Sequence, residues 1–227
     1  MSFSNIYHIV KQGGIIHNHI LIMDKNLIEI EHLKIPNEHL IEGENWLGYD
    51  IRRLLYKYGM FLNHVKSPKI LEIGSWKGRS AIFMLNVVLE KADIGMTCLD
   101  TWEGSEEHNN ADGLIDTFRR NLDNFGLTDR VNMIEDTSLN LLDHFKEPNS
   151  QVNFIYLDGS HTYWDVMSDL EKCFEILLSG GIMVGDDYLW KNYGGDSGVN
   201  SAVNDFVQFN PGVLMLETNY GFALRKL

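Results

Sequence analysis

From Ile70 to the C-terminus, short runs of β-branched and other apolar residues alternate with stretches whose apolar positions recur every three or four residues. Runs of the first kind suit strands buried on both faces, and the second kind suits amphipathic helices, so the alternation predicts a mostly parallel sheet covered by helices, an α/β fold. Strands are expected at residues 70–73, 95–99, 131–134, 152–157, 181–184, 213–216 and 221–225. Helices are expected at 79–91, 113–124, 138–145, 163–178 and 199–209, in β-α-β-α order throughout. Upstream, Trp46, Leu47, Ile51, Leu54, Leu55, Tyr58 and Phe61 keep helical spacing within 42–64, which predicts an amphipathic helix packed beside the first strand. Residues 15–23 and 27–30 read as a hairpin around Asp24-Lys25-Asn26. Residues 1–42 are therefore taken as an extension, for which a contact between copies in a homo-oligomer is one role, and 43–227 as one globular domain. Neither an internal repeat nor a low-complexity tract is present.

Composition narrows the partners. Hydrophobic residues make up 44% of the 227 positions, enough for one sizeable core. The formal net charge of -13 repels nucleic-acid phosphates and anionic membrane surfaces, so neither is the expected partner. The one dense basic run in the first part of the chain, Arg52, Arg53 and Lys57, reads as a solvated helix face. Cys98 and Cys173 are the only cysteines, which fits a reducing cytoplasm. Residues 1–10 lack a leader pattern and no apolar run approaches the roughly 20 residues of a membrane span, so a soluble cytoplasmic protein is expected.

The strongest local signal runs from Lys69 to Ser80, where a buried strand ends in Glu72-x-Gly74-x-x-x-Gly78 and leads into a helix. Glycines at such a turn let the backbone approach a ligand beyond the carboxyl ends of the strands. The spacing is not that of a dinucleotide fingerprint, and Glu72 would repel a pyrophosphate while suiting a cationic amino-acid group. Next, the strand Met96-Thr-Cys-Leu-Asp100 ends in a carboxylate placed to take ribose hydroxyls, with a turn cap as its plainer role. At Glu135-Asp136-Thr137-Ser138 either Asp136 or Ser138 suits an adenine edge, though all three residues after Glu135 are also ordinary helix caps.

Two further strands end in acids, at Asp158-Gly-Ser-His161 and at Gly185-Asp186-Asp187-Tyr188. Neighbouring parallel strands lie about 4.8 Å apart, so Asp158, Asp186 and Asp187 converge and repel one another unless a cation sits between them. Hard oxygen ligands of this kind suit Mg²⁺ or another divalent cation. His161 stands at the mouth of the following helix, where it, or Asp158, could take a proton from a substrate hydroxyl; capping the helix or orienting a metal ligand are its plainer roles. His17 and His19 have no such neighbours and read as a solvated strand face.

In this order, Glu72-x-Gly74-x-x-x-Gly78, Asp100-Thr-Trp-Glu-Gly104, Asp158-Gly-Ser-His161 and Gly180-Gly181 followed by Asp186-Asp187-Tyr188 resemble the class I S-adenosylmethionine-dependent methyltransferases. The resemblance is to the group that includes macrolide-sugar O-methyltransferases and, more distantly, catechol-type O-methyltransferases, and it spans 70–227. It implies a Rossmann-like doubly wound sheet of seven strands, the last antiparallel, with S-adenosylmethionine over the first two strand ends. It also implies that Glu72 and Gly74, with Ser75, Gly78 and Ser80 around them, hold the methionine end, and that Asp100, beside Thr101 and Trp102, holds the ribose. Asp158, Asp186 and Asp187 would hold magnesium, and His161 falls where some macrolide-sugar relatives have their base. Catechol-type enzymes carry Asp-Asn in place of Asp186-Asp187 and a lysine base, so a catechol is the less supported substrate.

The expected reaction is in-line transfer of a methyl group to a hydroxylated small molecule, with a loop at 189–200 containing Trp190, Tyr193, Gly194 and Gly195 closing over the substrate. The rivals are a metal-independent enzyme acting on nitrogen, a non-catalytic adenosine-binding or assembly protein and, least supported, a dinucleotide oxidoreductase. The acceptor itself is not written in the loops at 103–112 and 189–200 that would select it.

Overall fold

The computed structural model describes residues 30–104, 112–191, 195 and 197–227. The hairpin expected around 24–26, His17, His19, most of the 103–112 loop and Tyr193 and Gly194 lie outside the described residues.

Seven strands form one sheet in the order β3-β2-β1-β4-β5-β7-β6. They are β1 (Ile70–Ile73), β2 (Met96–Asp100), β3 (Val131–Glu135), β4 (Val152–Leu157), β5 (Leu177–Gly185), β6 (Val213–Thr218) and β7 (Phe222–Lys226). The first five run parallel, and β7 is inserted antiparallel between β5 and β6. All seven expected strands are present. The strict β-α alternation fails at the end of the chain, because β6 returns directly into β7 through the short turn 219–221.

Strand side chains alternate between faces, so each strand feeds two cores. Ile70, Phe154 and Tyr156 pack with Leu54, Leu55, Ile82, Phe83 and Phe118 on one face. Leu71, Ile73, Ile155 and Leu157 pack with Val166, Leu170, Ala202 and Phe206 on the other. The first layer comes from α1 (Tyr49–Gly59), α2 (Arg79–Phe83) and α3 (Leu114–Asn124), the second from α4 (Leu141–His144), α5 (Tyr163–Ile176) and α6 (Gly198–Phe209). Full burial on both faces explains why the central strands read as unbroken apolar runs.

Several helices are shorter than their periodicity suggests. The stretch expected as one helix at 79–91 is α2 followed by a π-turn at Met84–Val88, and 138–145 opens as a 3₁₀ turn, Ser138–Asn140, before α4. The helix expected over 42–64 begins only at Tyr49. Trp46 and Leu47 belong instead to a strap, residues 30–48, that Leu33, Ile35, Ile41 and Leu47 anchor in the first core. Arg52 pins this strap, donating to Leu47 O at 2.9 Å, Leu33 O at 3.2 Å and Asn45 Oδ1 at 3.1 Å and pairing with Glu38. From the far side Asn121 of α3 brackets Glu42, accepting from its N–H at 2.8 Å and donating to its carbonyl at 3.0 Å.

The basic run on α1 is not a solvated face. Arg53 and Lys57 pair with Glu217 of β6 at 2.6 and 2.7 Å, with side-chain exposures of 5%, 10% and 7% for the three groups, and Tyr58 donates to the same carboxylate at 3.0 Å. The compensating charge sits about 160 residues away in sequence, beyond the reach of any local reading. No helix among the described residues is long and apolar enough to cross a membrane.

Burial alone would raise the Glu217 pKa, but the bonds from Arg53 and Lys57 outweigh it and hold the carboxyl at about 2, below its ordinary 4.5. A depressed folded pKa stabilises the fold above the ordinary value and loses that contribution as pH falls towards the folded one. Glu217→Gln leaves two buried cations without a counter-ion and is expected to lower unfolding free energy by about 3 kcal/mol at neutral pH. Urea unfolding of both proteins should show that gap closing between about pH 5 and pH 2.

Candidate active site at the carboxyl edge of the sheet

The first turn of the site is dictated by a close approach. Gly74 follows β1 with φ +83, donates to Leu99 O at 3.0 Å, and has the β4 turn against it. A Cβ there would fall 1.8 Å from the carbonyl oxygen of Asp158, so no other residue fits without parting the strand ends. Gly78, at φ +84, closes the turn on Ser75 O and opens α2 against Phe118. Trp76, Trp102 and Asp187 also hold left-handed conformations, all at this edge. Strain of that kind concentrates where surrounding contacts fix an arrangement for function.

Asp100 ties the first two turns together. Its carboxylate accepts from the Trp76 and Trp102 N–H groups, each at 2.7 Å, and the Trp102 indole donates to Trp76 O at 2.9 Å. The turn-cap role is thus real, and lone pairs remain on both oxygens for further donors. Thr101 accepts from the Glu103 N–H at 3.2 Å and so shapes the same turn.

Glu72 is fully buried beneath the glycine turn. Burial drives its pKa up, and the nearby Ser80 and Ser75 hydroxyls and the Cys98 thiol, which donates to Oε2 at 3.2 Å, offset part of the rise. Glu72 Oε1 and Ser75 Oγ are both buried without a hydrogen-bond partner. An unmatched buried carboxylate oxygen is costly and chemically suited to a cationic donor. The cavity over this pair is walled by Gly74, Ser80 and Asp158 and, from the strap, by Glu44 and Trp46. Trp46 packs on Trp76 with ring centroids 5.5 Å apart, and Glu44 bonds Lys77 at 2.8 Å, the main reason that its carboxyl falls to about 2. Trp46 was legible in sequence only as one apolar position of a helix, and nothing local marked Glu44.

The acidic floor follows from register. Leu157 of β4 pairs with Gly185 of β5, so the next residues, Asp158 and Asp186-Asp187, emerge side by side. Asp158, His161 and Asp187 each present a ligand atom within 4.8 Å of the others, and His161 Nε2 lies 2.8 Å from Asp187 Oδ2. Asp186 turns away from that group: its Oδ1 takes the Asp187 N–H at 2.7 Å and its Oδ2 the Tyr156 hydroxyl at 3.3 Å. Tyr156 also reaches Asp158 Oδ2 at 3.0 Å, bridging two carboxylates from below. Sequence patterning marked it only as a strand position. Burial first, then repulsion from Asp186 and Asp187, pushes the Asp158 pKa well up. Burial and Asp187 likewise raise Asp186 to about 7. The His161 ring packs on Trp190, centroids 4.7 Å apart.

At the third strand end the three candidate polar residues separate. Asp136 is taken up by the Thr137 N–H at 2.7 Å, Asn140 at 2.9 Å and His144 at 2.8 Å, and Thr137 caps the turn by accepting from Leu139 N–H. Ser138 opens the 3₁₀ turn that packs against α5.

A family profile described as a methyltransferase domain matches residues 71–188, over half of the chain. Among solved structures, an O-methyltransferase from Bacillus cereus in complex with S-adenosylhomocysteine is 19% identical, with a TM-score of 0.57, covering 91% of this chain and 93% of that one. The O-methyltransferase of tomaymycin synthesis from Streptomyces achromogenes, in complex with S-adenosylmethionine, is 17% identical at TM-score 0.53, over 74% and 78% of the two chains. An rRNA methylase from Streptococcus thermophilus is 16% identical at TM-score 0.51, over 74% and 93%. At these identities the likeness is one of fold. No curated protein matches the chain.

Gly74→Ala is expected to destabilise the protein by about 3 kcal/mol or more, since backbone strain adds to a clash with backbone that cannot move aside. Gly126→Ala serves as the control: its φ is +63 but nothing lies within 4 Å of a Cβ, so only the strain, about 1 kcal/mol, should appear in parallel thermal melts.

Proposed function

Since this chain belongs to the class I S-adenosylmethionine-dependent methyltransferases, we propose that it is an O-methyltransferase acting on a hydroxyl of a small molecule, such as a sugar or another natural product. The observation that carries this reading is the pairing of an orphaned buried Glu72 oxygen with an acidic, histidine-bearing floor one strand away. Glu72, with Ser75 and Ser80 around it, suits the ammonium of the cofactor's methionine end, and the Gly74 and Gly78 turn lets the backbone close on it. Asp100, framed by Thr101 and Trp102, suits the ribose hydroxyls. At the adenine end either Asp136, whose Oδ2 keeps a lone pair beside its bond to His144, or Ser138 suits the adenine edge.

S-adenosylmethionine supplies an electrophilic methyl group on a sulfonium, so the protein has to align an acceptor oxygen and remove its proton. His161 is built for proton removal, because Asp187 orients the imidazole and stabilises the cation formed when the ring takes a proton, and Trp190 fixes the ring plane. Asp158 and Asp187, with Asp186 beside them, fit a hard divalent cation such as Mg²⁺, because desolvation and mutual repulsion push two of these half-buried carboxyls up and a cation would relieve both. Such a cation would lower the pKa of the acceptor hydroxyl. The His161–Asp187 contact favours a second reading, in which the pair works as a metal-independent base on oxygen or nitrogen. Solved folds of this shape include an rRNA methylase, but a net charge of -13 supports a small-molecule acceptor over RNA.

Asp187→Ala, which leaves His161 without its orienting partner, is expected to lower kcat by up to about 10²- to 10⁴-fold, the usual worth of the positioned base itself, while S-adenosylhomocysteine affinity changes little. Assays in chelator with Mg²⁺ added back decide between the readings: recovery on re-addition supports the cation, and turnover indifferent to chelator leaves the histidine–aspartate pair alone.

A further inference from the structure

Asn121 is a buried amide that the reaction does not use. Along α3 the inward positions Leu114, Phe118 and Leu122 are apolar and belong to the first core, and Asn121, 0% exposed, is the polar exception among them. Burying an amide costs stability unless its donors and acceptor are matched. Here they are: Oδ1 accepts from the Glu42 N–H at 2.8 Å, and Nδ2 donates to Glu42 O at 3.0 Å and to Lys77 O at 2.8 Å. One side chain thus holds the strap with two bonds and the glycine turn with a third.

Strap and turn are also two walls of one cavity. Glu42, Glu44 and Trp46 line it from the strap, and Gly74, Ser75 and Lys77 from the turn. Along this stretch three successive strap carbonyls are gripped, Glu42 O by Asn121, and Gly43 O and Glu44 O by Arg79 at 3.3 and 3.1 Å. At about 60 Å³ the cavity takes one end of a ligand, since a site for a whole drug-sized molecule runs to roughly 300 Å³ or more. We propose that Asn121 is a positioning residue for cofactor binding, which ties the strap to the glycine turn and so keeps the cavity closed around the amino-acid end of S-adenosylmethionine. This rests on the reading of that cavity as the methionine end of the site. The bonds to Lys77 and to Glu42 form together only when strap and turn are both in place, so the amide selects the closed arrangement. Arg79 shares the task but lines the cavity, where it can meet the ligand directly, whereas Asn121 acts through the backbones that it holds. An apolar side chain in its place unties the strap, while the ribose turn keeps its own bonds from the Trp76 and Trp102 N–H groups to Asp100.

The test is calorimetry on the full chain with S-adenosylhomocysteine and with 5′-methylthioadenosine, a nucleoside without the amino-acid end. Wild type should prefer the first. Asn121→Leu, close to asparagine in size, should weaken S-adenosylhomocysteine by about tenfold or more, the worth of one or two hydrogen bonds, and leave 5′-methylthioadenosine within about threefold of wild type. Asn121→Ser, whose hydroxyl is too short to span strap and turn, should do the same and stands in if the leucine variant does not fold. A merely structural role would weaken both ligands by the same factor, which would overturn the proposal, as would a folded variant that binds both like wild type. Glu72→Gln separates the two levels: if it removes most of the wild-type preference while both Asn121 variants keep it, the inference about Asn121 fails and the methionine-end reading stands. If wild type itself binds the two ligands equally, that reading is wrong and the inference falls with it.

Discussion

Carboxylates buried side by side lose their hydration and repel one another, and a fold that keeps them together must hold them by backbone. Here Glu72, Asp158 and Asp186 are carried to one edge by three adjacent strands, β1, β4 and β5, whose register leaves no freedom to spread. The tightest point is Gly74 against the Asp158 carbonyl, where the absence of a side chain lets the first and fourth strand ends touch. Burial raises the pKa of Glu72, and burial together with repulsion among the floor carboxylates raises those of Asp158 and Asp186. What the protein gains is a crevice that attracts positive charge at two places, beneath the glycine turn and on the floor beside it.

The rest of the molecule can be understood as support for that edge. Two hydrophobic layers grip the sheet from both faces, and the strap at 30–48 closes the outer wall of the cavity. The strap is held by charge as much as by packing. Glu38 pairs with Arg52 of α1 and Arg79 of α2, so the helix that leaves the glycine turn and the segment that covers it share one carboxylate. Bonds from Arg52 and Arg79 keep Glu38 below its ordinary pKa despite its partial burial.

Strands and their terminal acids were legible in the sequence because both are local: an apolar run predicts burial, and an acid just after it lies at the carboxyl end. Gly74 and Gly78 were legible for the same reason. Roles set by partners distant in the chain were not. Arg53 and Lys57 read as solvated until Glu217 arrives from β6, and Tyr156 reads as a core residue until β5 brings Asp186 within reach of its hydroxyl. Asp169 follows the helical pattern of α5 at a position that the pattern makes apolar, and only the fold shows it buried there at 2% exposure. The turn at 219–221 was missed because periodicity finds strands without saying whether a helix intervenes.

The central claim is that the unmatched Glu72 oxygen awaits the ammonium of the cofactor's amino-acid end. Calorimetry comparing S-adenosylhomocysteine with 5′-methylthioadenosine, which keeps the nucleoside and lacks that end, tests it most directly. The account predicts that the truncated nucleoside binds at least about 100-fold more weakly, as expected when a buried charge loses its partner. Equal affinity for the two would contradict it.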